Sequence, residues 1–133
     1  MWNEAFGWLW MGMGVLSGAV MGLFFSRPEW LGGYGSWERR LLRLGHISFF
    51  GLGLLNVLFA LSRERVMLPR VWVDAGAWAM VAGGVLMPLC CSLAAWRKRT
   101  VALFALPVAA IGLGVTVAWV GLARRAIELA GGV

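Results

Sequence analysis

The sequence predicts an all-α fold, an integral membrane four-helix bundle with short loops, in which residues 1–133 form a single transmembrane domain. Three observations carry this prediction. Hydrophobic residues make up 61% of the 133 positions and charged residues 14%, with a mean hydropathy of +0.80, whereas a water-soluble domain is about half apolar and about a quarter charged. The apolar residues gather in four runs, each close to the ~20 residues that cross a hydrocarbon core. Finally, every Lys and Arg lies in a loop or near the end of a run. That distribution flanks a membrane and argues against a nucleic-acid partner in spite of the net charge of +6.

The first span covers residues 5–25, AFGWLWMGMGVLSGAVMGLFF. No basic segment precedes it, it is longer than the apolar core of a signal peptide, and a small-residue cleavage pattern is missing, so a retained anchor is expected. The loop SRPEWLGGYGSWERR follows. The second span covers 41–62. Ser36 is placed to cap its helix, Glu38 suits the positive end of the helix dipole, and Arg39, Arg40 and Arg43 are expected to snorkel into the headgroup zone. The third span covers 71–96, after RER and Pro69-Arg70. The fourth covers 101–122, after the tight basic turn Arg97-Lys98-Arg99. None of the four alternates with a period of two, and in a bilayer each segment must satisfy its own backbone groups, so all four are helices. Pro88 cannot donate to the carbonyl of Gly84, nor Pro107 to that of Leu103; each is expected to bend its helix and leave a carbonyl for a neighbour to absorb. Trp2, Trp30, Tyr34, Trp37, Trp72, Trp78 and Trp96 fall near the span ends as an aromatic belt, with Trp8, Trp10 and Trp119 as belt or packing residues.

The bases also orient the chain. Loops one and three carry Arg27, Arg39, Arg40, Arg43, Arg97, Lys98 and Arg99, and the opposite side carries Arg63, Arg65, Arg70, Arg124 and Arg125. By the positive-inside rule loops one and three face the cytoplasm, and both termini lie outside it.

Polar residues inside apolar spans are where function concentrates in membrane proteins. His46, the single histidine, lies one turn from Arg43 near the mouth of the second span. Asn56 follows about 15 Å further along the same helix. With Gly53 and Ala60 the two form a stripe that faces the bundle. The expected roles are an interfacial histidine bonded to a neighbouring backbone group and an asparagine bonded across helices; the functional alternative is a quinone, lipid or haem site that uses His46 and Asn56. Asp74 is expected to cap a helix at Ala75 or to pair with Arg70. The adjacent Cys90 and Cys91 form neither a C-x-x-C pair nor a Cys/His metal set, and are read as packing residues. No catalytic or metal-binding residue is assigned, and no cofactor is expected unless the haem or quinone alternative holds.

The strongest local pattern is the double G-x-x-x-G of Gly14, Gly18 and Gly22, a face that lets another helix approach closely. A second small-residue ridge, Ala110, Gly114 and Ala118, runs along the fourth span, and the first ridge is expected to meet either this one or a helix of another subunit. The segments SGAVMG in the first span, GH at the entry of the second, and AGGVLMPL before a tight basic turn and a proline-containing fourth span resemble a family of small four-helix bacterial inner-membrane proteins of unknown function. The resemblance implies an inner-membrane location and this topology, and brings no catalytic residues with it. The expected function is therefore non-catalytic, that of an accessory or structural subunit of a larger membrane complex or of a small homo-oligomer. The alternative is the ligand-binding role of His46 and Asn56.

Overall fold

The structure is a computed structural model that describes residues 2–132; Met1 and Val133, the two ends of the 1–133 domain, lie outside the described residues. Four α-helices account for most of it: α1 (Trp2–Leu23), α2 (Trp37–Ser62), α3 (Arg70–Trp96) and α4 (Ala105–Gly131). Each is long and apolar enough to cross a membrane, and no strand occurs among the described residues. Short 3-10 turns at Trp30–Gly32, Arg63–Arg65 and Lys98–Phe104 join them.

The ends of the helices follow from local chemistry. α2 starts where the Ser36 hydroxyl accepts from the Arg39 N–H at 3.2 Å, as a serine cap does. The fourth helix starts later than its apolar run, because Lys98–Phe104 is wound as a 3-10 helix and α-geometry begins at Ala105. Pro107 therefore falls in the first turn of α4, where its missing N–H is no loss. This corrects the expectation that Pro107 bends the middle of a helix. The Leu103 carbonyl instead accepts from the Cys90 thiol at 3.6 Å. Pro88 does lie inside α3, and the Gly84 carbonyl it orphans is taken up by the indole N–H of Trp10 on α1 at 2.9 Å.

The helices pack mainly on their neighbours in the chain. α1 lies against α2 and reaches α3, α2 against α3, and α3 against α4, while α1 and α4 form no packed interface among the described residues. The glycine ridge of α1 thus meets α2, not the fourth span as one of its two expected partners. A Cβ at Gly14 would strike the Phe50 ring and one at Gly18 the His46 ring, whereas at Gly22 it would meet nothing within 4 Å. The closest approach of α1 is one turn from its start: a Cβ at Gly53 would lie 2.8 Å from the Gly7 carbonyl oxygen. Gly114 packs against Met80 and the Gly76 backbone of α3, Ala118 joins the cluster of Phe59, Met80 and Val117, and Ala110 is half-buried. A smaller cluster of Leu41, Ala94 and Ala95, covered by Trp37 and Phe104, closes the opposite end.

Asp74 pairs with Arg63 in the turn after α2, not with Arg70, and it does not cap a helix, because α3 already begins at Arg70. The pair closes the α2–α3 hairpin. Cys90 and Cys91 are free and buried, Cys91 against Gly45.

Candidate functional site

His46 and Asn56 share a face of α2 but not a site. Asn56 is 0% exposed, and its polar atoms are all engaged. Its amide nitrogen donates to the Leu52 carbonyl at 2.9 Å and to the Met80 carbonyl at 3.2 Å, and its oxygen accepts from Asn3 Nδ2 at 2.9 Å. Asn3 Nδ2 donates in turn to the Ala77 carbonyl at 2.8 Å. The two amides tie α1, α2 and α3 together. With both donors used, Asn56 has none left for a ligand, so the cofactor-binding assignment sketched for it gives way to a structural one. Asn3 escapes a reading of the spans that begins at Ala5.

His46 lies in the third turn of α2, on the other side of the Gly7–Gly53 contact. Its ring packs on Gly18 and stands edge-on to Phe50, with centroids 5.5 Å apart. Its hydrogen-bond partner is a side chain, not the backbone expected: Ser17 Oγ lies 2.9 Å from Nδ1 and also 2.9 Å from the Gly14 carbonyl oxygen. A hydroxyl has one proton. Ser17 therefore either gives its proton to the Gly14 carbonyl and accepts from Nδ1, or gives it to Nδ1, according to the tautomer of His46.

Beside His46 a groove of about 490 Å3 opens between α1, α2 and α3. Trp10, Met13, Phe49, Val85 and Leu89 make its walls apolar; Ser17, His46 and Ser92 are its polar groups. Pro88 and Gly45 also line it. At 1.5 Å per residue the groove sits roughly a third of the way along α2, at the end of the bundle where the first and third loops lie.

A second cavity of about 240 Å3 adjoins the first through His46, Met21 and Trp30. Its character differs. Arg39 and Arg43 reach it from α2, and Trp30 and Tyr34 from the first loop. The Arg39 guanidinium lies 5.5 Å from the Trp30 ring centre and 5.1 Å from that of Tyr34; Arg43 lies 4.4 Å from the Tyr34 ring and donates to its carbonyl at 3.2 Å. Such cation–π contacts hold an arginine without neutralising it. The loop reaches this arrangement through Leu31 at φ 56°, a left-handed conformation unusual for leucine, followed by Gly32 and Gly33 at φ 78° and 95°. Arg39, one of the three arginines expected to snorkel into the headgroup zone, is 4% exposed; the folded first loop covers it. Arg40, also expected to snorkel, is exposed. Trp30 and Trp37 are likewise half-buried, Trp37 donating to the Ala94 carbonyl at 2.8 Å, while Trp2, Tyr34, Trp72, Trp78 and Trp96 are exposed as a belt would be.

Among the described residues no three His, Cys, Asp or Glu side chains lie close enough together to hold a metal ion. The site consists of an apolar slot, one imidazole with a serine beside it, and two arginines at its end. No known family model, curated protein or solved structure is significantly similar to this chain.

Proposed function

We propose that this protein is a non-catalytic membrane protein that holds one amphipathic small molecule of the quinone or lipid class in the groove between α1, α2 and α3, with His46 as its polar contact. The observation that carries the reading is the groove itself, about 490 Å3 and almost wholly apolar, with an imidazole in its wall whose Nδ1 is fixed by Ser17. Ligand sites in proteins have this composition, mostly apolar with a few fixed polar groups. Asn56 takes no part. A quinone carbonyl needs a donor and a lipid hydroxyl an acceptor, and the imidazole nitrogen not held by Ser17 supplies one or the other according to its tautomer. We place the protein in the cytoplasmic membrane of a bacterium, with loops one and three inside and both termini outside, on the charge asymmetry of its loops.

The test is extraction of the protein purified in mild detergent. About one amphipathic molecule per chain should be recovered, in an amount that falls several-fold in Val85→Trp, which fills the groove from α3. The same preparation should show no Soret band. Equal recovery from both proteins, or a stoichiometric haem spectrum lost in His46→Ala, overturns the reading.

One observation favours a second role, association with a partner subunit or with another copy. Gly12 on α1, Gly51 on α2 and Gly112 on α4 face outward, each with nothing within 4 Å of where a Cβ would be. Outward glycines do nothing for packing within the chain, whereas they let a further helix come close. Co-purification of a stoichiometric membrane protein, or a stable oligomer that Gly112→Leu dissociates, tests this role. The two roles are compatible.

A further inference from the structure

We infer that the ligand of this groove carries an anionic headgroup, a phosphate ester on an acyl or isoprenoid tail, and that Arg39 and Arg43 bind the phosphate. The inference rests on the groove being a binding site for an amphipath, and adds the charge of that amphipath.

It starts from Arg39. A guanidinium that is almost fully withdrawn from solvent requires compensation, ordinarily a carboxylate and hydrogen bonds to its five N–H groups. Arg39 has neither. Its side chain makes no hydrogen bond to the described residues, and the sole ion pair among them is Arg63 with Asp74, at the other end of the bundle. Trp30 and Tyr34 lie against the guanidinium and supply no hydrogen-bond acceptor to it. No sealed side-chain nitrogen lacks a partner among the described residues, and Arg39 lines the 240 Å3 cavity with Arg43 and His46. A guanidinium's planar fork of donors matches a phosphate or carboxylate. Arg43 lines the same cavity from one turn along α2 and adds a second cation beside the anion.

The tail follows from the join between the two cavities. His46, Met21 and Trp30 border both, so a headgroup between the arginines has its chain directed past His46 into the apolar groove. The end of the bundle agrees. These arginines flank Leu41, where the apolar run of α2 begins, and a lipid phosphate lies at the end of such a span. An arginine that only snorkels among bulk lipids would be exposed on the outer surface, as Arg40 is; Arg39 is enclosed by its own loop.

The experiment uses the full chain in neutral detergent micelles, with native mass spectrometry reading lipid retained per chain. Dioleoyl phosphatidylglycerol and dioleoylglycerol are the probes, identical in tail, one with a phosphate and one without, with inorganic phosphate as competitor. The expected result is one phosphatidylglycerol per chain, held about tenfold or more over dioleoylglycerol, as the loss of a charge-assisted bidentate contact implies. In Arg39→Gln this preference should collapse while dioleoylglycerol retention is unchanged. Arg43→Gln, at the cavity's rim, should reduce it in part, and serves if Arg39→Gln misfolds. Equal retention of the two lipids by the wild-type chain, or a preference that survives both substitutions, overturns the anionic headgroup but leaves the groove as a site for a neutral amphipath. Retention of neither lipid, with no change in Val85→Trp, overturns the groove as well. Displacement of phosphatidylglycerol by millimolar inorganic phosphate would mean that the arginines read a free anion, and would overturn the assignment to an amphipath.

Discussion

Asn56 and Trp10 are polar groups whose task is to complete other residues' hydrogen bonding. In hydrocarbon a backbone carbonyl without a partner has no water to turn to, and Trp10 reaches from α1 to the carbonyl that Pro88 leaves open. Trp10→Phe keeps the ring and removes the donor. It should lower stability by about 1 kcal/mol, and combining it with Pro88→Ala should perturb the protein less than the sum of the two, because an alanine in place of the proline restores the helical donor to Gly84. Asn56→Leu should cost about 1–2 kcal/mol, and a double-mutant cycle with Asn3→Leu should recover a coupling of roughly 0.5–1.5 kcal/mol. Unfolding in mixed micelles measures both. The sequence makes Asn56 legible as a cross-helix amide, because a lone asparagine in an apolar run has few other roles. It does not reveal Asn3 as the partner, since a polar residue before the first apolar run is ordinary. Arg39 was hidden for a different reason: three arginines at a span entry look alike in sequence, and only the path of the first loop distinguishes the enclosed one.

At the scale of elements, the helices and their order were readable from apolar runs and charge, within a few residues at most ends; α4 runs on to Gly131, past the expected end of its span at Leu122. Their pairing was not. G-x-x-x-G marks a face that tolerates close approach without naming what approaches, and α1 turned that face to α2, where Phe50 and His46 fill the space above Gly14 and Gly18. Gly7 and Gly53 make the closest backbone contact, and neither belongs to a four-residue repeat with the ridge. Gly53→Val should therefore destabilise the hairpin of α1 and α2 by about 2 kcal/mol or more, as overpacking against backbone does. Gly22→Val should be within about 0.5 kcal/mol of wild type, the range of a surface substitution. If Gly22→Val proves the more damaging in detergent-solubilised monomer, α1 is packed in a different register. The start of α4 is instructive in the same way. Pro107 reads as a kink when the apolar run is taken as the helix, and as a helix start once Lys98–Phe104 is wound as 3-10; the sequence contains no cap signal to separate the two.

Over the whole molecule, charge and the candidate site lie at the same end. Arg39 and Arg43, which line the second cavity, count with the first loop in the charge balance, so on the orientation proposed above the site opens toward the cytoplasmic leaflet. Reporter fusions after Val133 and in the Arg97-Lys98-Arg99 turn should report the outside and the cytoplasm respectively; the opposite pattern would invert the molecule. His46 was legible as the one histidine of the chain, and Ser17 as a hydroxyl beside the glycine ridge. That they meet at 2.9 Å, and that a groove lies next to them between α1, α2 and α3, depends on three helices at once and is written in no single stretch. The most direct test of the central claim is photocrosslinking with an amphipath that carries a diazirine midway along its tail. The account predicts adducts concentrated on the groove residues Met13, Val85 and Leu89 and lost in Val85→Trp; adducts spread evenly over the outer faces of α1 and α4, and unchanged in that variant, would contradict it.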